Sequence, residues 1–317
     1  MSMNLQNADR WRASVKEEYL AAKAADPARF EATLNFSWSN WGFGLEPLQQ
    51  SCERLAAAGI AYIELHGNHY GPSLGYQVEE TRAVLAETGL AVSGVCGMFS
   101  DDNDLSSNRP TCQQAALDYI RRELAFTSQM GGAYLLVVPG SVGRPDAYDP
   151  WELVRSADAL RLVADEFVAR GIKAAIEPIR SAEVSIVHSV ADAVAFIEAV
   201  GHPGVQHING DIYHMQVEEP NVALAVRQAG DRLVNLHLAD SNRLALGKGS
   251  MDLDSIIMAL YTIGHNAPGR FVTAEPLGPG AGPYAARTAI PDPRTLDALV
   301  NDSIGYFRER EAAVRAL

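Results

Sequence analysis

Residues 173–211 read KAAIEPIRSAEVSIVHSVADAVAFIEAVGHPGVQHINGD. A short β-rich run, Lys173 to Glu177, is followed by a longer stretch of helical character that Gly201 should stop, and then by a second short run, Val205 to Asn209. This is one strand, helix, strand unit, the signature of two parallel strands joined by a helical crossover. Both runs deliver a carboxylate: Glu177 closes the first, and the second runs on into Asp211.

The same alternation extends in both directions. Further candidate strands are Thr33 to Ser37, Ala61 to His66, Ala91 to Cys96, Ala133 to Val138, Leu233 to His237 and Phe271 to Glu275, which makes eight. Helical patterns fill the gaps, as in Leu48, Cys52, Leu55 and Ala56, or Leu153, Ala157, Leu160, Leu162 and Val163, with apolar residues three and four apart. Gly59, Gly89, Gly171 and Gly201 fall where helices should end before the next strand. Eight βα units with short loops predict a single-domain (β/α)8 TIM barrel rather than an open doubly wound sheet, because nothing marks the reversal of strand order that an open sheet needs. Residues 1–28 read as an N-terminal helical extension and 29–317 as the barrel, closed by a C-terminal helix over roughly Pro293 to Ala316.

Of 317 residues, 47% are hydrophobic and 21% charged, enough for one large core and without the charge blocks or Gly/Ser tracts of a disordered linker. The 26 Lys and Arg against 39 Asp and Glu give a formal net charge of −13, which repels polyanions and excludes nucleic acid and anionic membranes as natural partners. A small uncharged molecule or a cation fits better. Three cysteines, Cys52, Cys96 and Cys112, have no C-x-x-C spacing, so neither a disulfide framework nor a thiolate zinc site is expected. The first residues lack the apolar core of a signal peptide, and no run is long enough to span a bilayer. The expectation is a cytoplasmic protein.

In a barrel of this kind the active site lies at the C-terminal ends of the strands. Four successive strands there end in or run into Glu177, Asp211, His237 and Glu275. A single acidic residue after a strand is usually a helix cap or a solvated loop charge, and a histidine between Leu236 and Leu238 is often a satisfied core group. Four at equivalent positions are harder to dismiss, because charges closing apolar strands are costly unless paired or metal-bound. Three carboxylates and one imidazole form an oxygen-rich set that suits one Mn²⁺, Mg²⁺ or Co²⁺ ion better than a structural zinc. Trp38 and Trp41 after the first strand, and His66 and His69 after the second, offer flat faces and neutral hydrogen-bonding groups for a sugar. Trp38 and His69 are taken as candidate substrate contacts, against the common alternative of core or lid packing.

At these residues the sequence resembles the xylose isomerase-like barrel family, and within it the branch of D-tagatose 3-epimerase and related ketohexose 3-epimerases. The likeness covers about residues 170 to 280. It implies that Glu177, Asp211, His237 and Glu275 hold the metal. It also implies that Glu183, six positions after the first Glu, His214, three after the Asp, and Arg243, six after the His, bind substrate oxygens near the reacting carbons. Gly247, Gly249 and Asp252 match the glycine-spaced segment that follows the Arg in many members. Family members are often dimers or tetramers, which implies a homo-oligomer.

The resemblance predicts a sugar isomerase or epimerase acting on a ketose or related carbohydrate. A divalent metal would act as a Lewis acid and stabilise an enediolate, with Glu177 and Glu275 as the catalytic bases. Use of two bases on opposite faces of one carbon gives epimerisation; return of the proton to the neighbouring carbon gives aldose–ketose isomerisation, and both outcomes stay open. The runner-up is a lyase on a keto-sugar or ketocyclitol, inosose dehydratase-like or C-glycoside-cleaving, using the same site. A zinc-dependent apurinic endonuclease is disfavoured by the acidic surface and by Ser241, Asn242 and Arg243 where that group has Asp-Arg-His. A non-catalytic sugar- or metal-binding module is the remaining class. No Gly-rich phosphate cradle or Arg/Lys cluster stands out, which favours a free sugar over a phosphorylated one.

Overall fold

The computed structural model describes residues 6–67, 75–278 and 283–317. Eight parallel strands close into one barrel in sequence order: β1 (Phe36–Ser39), β2 (Tyr62–His66), β3 (Ala91–Cys96), β4 (Tyr134–Val137), β5 (Lys173–Ile176), β6 (His207–Asp211), β7 (Leu233–Leu238) and β8 (Phe271–Ala274). β8 returns to β1 with Thr273 opposite Ser37, so the (β/α)8 architecture is complete. The outer ring contains α2 (Leu48–Ala57), α3 (Val78–Thr88), α4 (Pro110–Met130), α5 (Glu152–Arg161), α6 (Ala164–Arg170), α7 (Val190–Val200), α8 (Ile212–Glu218), α9 (Val222–Ala229), α10 (Leu253–Thr262) and α11 (Pro293–Arg315). The N-terminal helix α1 (Gln6–Ala25) lies across α9 and α10. No helix among the described residues is long and apolar enough to cross a membrane.

Local chemistry explains the boundaries. α7 opens on a reciprocal capping box between Ser189 and Asp192 and stops at Gly201, whose φ of 61° closes the last turn without the penalty a side chain would bring. α11 starts at the Asp292 cap with Pro293 in its first turn, and buries Leu296, Val300, Ile304, Phe307, Glu311 and Val314 at three- and four-residue spacing. Outward-facing strand residues such as Trp38, Ile63, Leu65, Ile176, Ile208, Leu236 and Val272 are buried under this ring. Burying one such side chain contributes roughly 1.5 to 3 kcal/mol.

Two strands begin two or more residues later than the sequence suggests, and β2 and β4 one residue later. β1 starts at Phe36 rather than Thr33, because residues before it are tied down by other partners: the Leu34 amide donates to Glu311, and the Asn35 side chain donates to the carbonyls of Ala267 and Arg270. β6 starts at His207 rather than Val205, since the Val205 amide closes a turn on the His202 carbonyl. The interior is layered. Tyr134, Ala175, Val234 and Phe271 pack together as an apolar floor; above it lies a polar layer; above that are the strand ends. β7 carries one extra residue relative to β6, with Ile208 opposite Leu233 but Asn209 opposite Asn235. Such a bulge re-aims side chains. Here Val234 joins the floor, while Asn235 hydrogen-bonds within the polar layer and His237 stands at the level of the site.

Candidate active site

Alternation along each strand places every second residue inside the barrel. At the upper ends of β5 to β8 the inward positions are therefore Asp211 and His237 on their strands, with Glu177 and Glu275 one residue past β5 and β8, and the structure brings all four together. His237 Nδ1 lies 3.4 Å from Glu177 Oε1 and 3.4 Å from Glu275 Oε1. One ligand atom each from Asp211, His237 and Glu275 falls within 4.8 Å of the others, as do Glu177, Asp211 and His214. All are buried. Asp211 also caps α8, accepting from the Tyr213 amide at 2.8 Å, which fixes its carboxylate.

The electrostatics show a cluster short of positive charge. Burial, reinforced by the charges of Asp211 and Glu177, pushes the Glu275 carboxyl up to about 8 despite His237 and Arg243. Burial likewise raises Glu177, with Asp211 and Glu64 adding to it and His237 opposing. Burial alone would lower His237, but the surrounding carboxylates, led by Glu275 and Glu64, carry it well above the ordinary imidazole value. Three convergent buried carboxylates and one imidazole form the donor set that a hard divalent cation takes. The residues present fit such an ion.

Above this cluster opens a narrow cleft of about 50 Å³. Glu177, His214, Arg243 and Glu275 are on its lining, with apolar walls from Trp41, Phe99, Val138, Val142, Ile179 and Tyr284; Asp211 and His237 are not on the lining. Arg243 packs against three aromatic rings, 4.7 Å from Tyr213 and 5.9 Å from each of Trp41 and Tyr284. Its Nη2 is 3.5 Å from Glu275 Oε2, while Nε and Nη1 are buried with no hydrogen-bond partner. A buried guanidinium with two unused donors is expensive unless a ligand supplies acceptors. Its backbone sits at φ 60°, an unusual conformation for a side-chain-bearing residue, held by the carbonyl of Asp240 and by the amides of Leu277 and Gly278.

His214 is buried, with Nε2 3.4 Å from Asp211 and Nδ1 without a partner. Burial, with Arg243 and Arg180 nearby, pushes its pKa down to about 3, so it is neutral in ordinary conditions. Glu183 pairs with the guanidinium of Arg180, and its second oxygen, buried, has no hydrogen-bond partner. Glu183 is not on the cleft lining.

Trp38 is not where the sequence reading puts it. Because β1 starts late, Trp38 falls within the strand, opposite Ile63 on the outward face, and stacks on Phe43 at 5.7 Å between their centroids. Trp41 takes the position in the cleft, donating its indole N–H to Glu275 at 2.5 Å. His69 lies outside the described residues. Glu64, which strand-end position does not single out, is a wholly buried carboxylate on β2 that meets His237 Nε2 at 3.0 Å. The available signal was a charge inside the apolar run from Ala61 to His66, the same cost argument that singled out the strand-end residues. Tyr284 and Arg287, from a 3-10 turn after β8, also line the cleft and carried no signal of their own.

The sequence matches the xylose isomerase-like TIM barrel family over residues 52–291. It is 27% identical to the ketose 3-epimerase of Arthrobacter globiformis over 71% of this chain and 77% of that protein. It is 30% identical to the 3-dehydro-D-guloside 4-epimerase of Escherichia coli over 72% of this chain and 87% of that protein. The fold superposes on an L-ribulose 3-epimerase structure with a TM-score of 0.76 at 23% identity, covering 90% of this chain and 96% of that one. A D-allulose 3-epimerase from Methylomonas in complex with D-allulose gives 0.73 at 24%, covering 88% and 98%. These relatives are epimerases, and the lyase alternative gains no support from them. The protein is an enzyme of the isomerase class. With three quarters of its length matched and the strand-end cluster in place, the chain belongs to the xylose isomerase-like TIM barrel family.

Proposed function

We propose that the protein is a divalent-metal-dependent epimerase of a ketose or closely related keto-sugar, inverting a carbon next to the carbonyl. The observation that carries this is the pair Glu177 and Glu275, each 3.4 Å from the same imidazole nitrogen and both on the cleft lining, with β6 and β7 between them around the rim. Glu177, Asp211, His237 through Nδ1, and Glu275 would hold the ion. When bound, Mn²⁺, Mg²⁺ or Co²⁺ supplies Lewis acidity to the substrate carbonyl and makes the adjacent C–H acidic enough for a carboxylate to remove.

The chain's own residues do the rest. Glu177 and Glu275 approach the reacting carbon from different strands, so one removes its proton and the other returns one to the opposite face. Trp41 holds Glu275 by its indole N–H. The free donors of Arg243 meet the oxygen on which charge develops, and neutral His214 hydrogen-bonds a neighbouring hydroxyl without adding competing charge. Glu183, steadied by Arg180, is off the cleft lining but keeps one buried oxygen without a hydrogen-bond partner, and on that and its spacing it is assigned to the same substrate oxygens. The apolar walls and the ring stack of Trp41 on Tyr284, 6.1 Å between centroids, exclude water from the far end of the sugar. A non-phosphorylated carbohydrate is the substrate class that fits best.

The test is chelation followed by reconstitution with Mn²⁺, Mg²⁺ or Co²⁺ and incubation with a panel of free ketoses and keto-glycosides. Metal-dependent interconversion of C3 or C4 epimers is expected. No interconversion of any member with any ion would overturn the proposal.

A further inference from the structure

Glu64 stands inside the barrel on β2, across from β7, with no exposed surface, and it does not line the cleft. It cannot touch substrate. Both its oxygens face His237 Nε2, at 3.0 and 3.1 Å, and one also accepts from the Tyr134 hydroxyl at 2.7 Å. A carboxylate wholly removed from water is costly, so this arrangement needs a return. We infer that Glu64 is the positioning residue that presents His237 to the metal: it accepts a hydrogen bond from Nε2–H and holds that proton in place, so that Nδ1, which faces the oxygens of Glu177 and Glu275, is the nitrogen left to bind the ion. The inference rests on the ligand set proposed above.

The surrounding polar layer supports the same assignment. Thr273 donates to the Asn235 side-chain oxygen at 2.7 Å, and the Asn235 amide donates to Asn209 at 2.7 Å and, at 3.4 Å, to Glu64. The Asn209 amide is thereby turned upward to donate to Glu177 Oε1 at 3.0 Å. One connected network from β2, β4, β6, β7 and β8 therefore orients two of the four ligands, His237 directly and Glu177 through Asn209. A carboxylate behind a histidine ligand fixes its tautomer and raises its basicity, and loss of such a partner weakens metal binding about ten- to a hundredfold. If Glu64 were only a structural ion-pair partner, its removal would change stability and leave the metal of the folded protein untouched.

The test uses Glu64→Gln and Tyr134→Phe, with wild type and His237→Ala as references, titrated with Mn²⁺ by calorimetry and loaded with Co²⁺ for its visible d–d spectrum. ¹⁵N NMR of the histidine rings reads the tautomer. Expected is a roughly ten- to hundredfold loss of Mn²⁺ affinity in Glu64→Gln, a smaller loss in Tyr134→Phe, and a shifted Co²⁺ spectrum in both. If wild type binds no Mn²⁺, or His237→Ala binds it as tightly, the ligand set itself fails. If His237→Ala weakens binding while Glu64→Gln and Tyr134→Phe bind Mn²⁺ like wild type with an unchanged Co²⁺ spectrum, the role given to Glu64 is overturned. Should Glu64→Gln not fold, wild-type affinity and spectrum in Tyr134→Phe suffice to overturn it.

Discussion

Asp211 and His237 are off the cleft lining, whereas His214 and Arg243 lie on it, and this difference in position separates effects on metal from effects on turnover. Asp211→Asn and His237→Ala should weaken Mn²⁺ binding on the order of a hundredfold or more, beyond what supporting residues cost. They should also reduce the rise in melting temperature that excess metal produces, because binding to the folded state stabilises it. Calorimetric titration and thermal melts check this, and wild-type affinity in both variants would remove them from the ligand set. Arg243→Ala and His214→Ala should keep Mn²⁺ and lose roughly thirty- to several-hundredfold in kcat/KM, as expected for about 2 to 4 kcal/mol of transition-state stabilisation. Steady-state kinetics on the metal-loaded variants decides.

The segment between β7 and α10 shows how an element is built around one side chain. Asp240 is buried and accepts from the backbone amides of Ser241, Gly247 and Met251. Gly249 passes so close that a Cβ there would stand 2.2 Å from the Asp240 carboxylate, which explains the glycine-spaced segment in physical terms. This framework holds Arg243 at its positive φ and couples it to the chain after Glu275. Asp240→Ala strands those amides, so it should destabilise the protein by about 1 to 3 kcal/mol. It should also raise KM through a displaced Arg243, measured by denaturant unfolding and kinetics.

At the same scale, legibility in the sequence followed periodicity. Eight strands and the ring of helices were readable because apolar runs and helix stops are local signals. The starts of β1 and β6 were not, since Glu311 and a turn at His202, distant or irregular partners, take the amides that would begin them. Trp38 was misassigned for that reason: a shift of register moves a side chain to the other face. The strand-end cluster could be read from position, while for Glu64 only its charge inside an apolar run is local; its partner His237 lies 173 residues away in sequence, and no local pattern encodes that contact.

For the molecule as a whole, the proposed ligand set makes proton and metal competitors for one cluster. The Glu275 carboxyl is raised from its ordinary value to about 8 by burial and neighbouring carboxylates. Its protonated form therefore favours the folded, metal-free protein: that contribution is complete below the ordinary carboxylate range and is lost as pH rises through about 8. A cation takes over when the proton leaves. Metal binding should accordingly tighten between pH 6 and 8.5, release protons, and raise the melting temperature more at pH 8.5 than at pH 6. Thermal melts at the two pH values, with calorimetry in buffers of different ionisation enthalpy, check the sign; an equal shift at both would contradict it.

The central claim, two carboxylates acting on one carbon from opposite sides, is tested most directly by solvent deuterium. The Mn²⁺-loaded wild type, Glu177→Gln and Glu275→Gln are incubated in D₂O with each epimer of a turned-over ketose, and NMR reads which carbon acquires label. Wild type should place deuterium at the inverted carbon in both epimers. Each variant, with metal content confirmed, should lose net conversion, and any residual exchange should favour a different epimer in the two variants. Label at C1 or C2 without inversion, or exchange of the same epimer by both variants, would contradict the account.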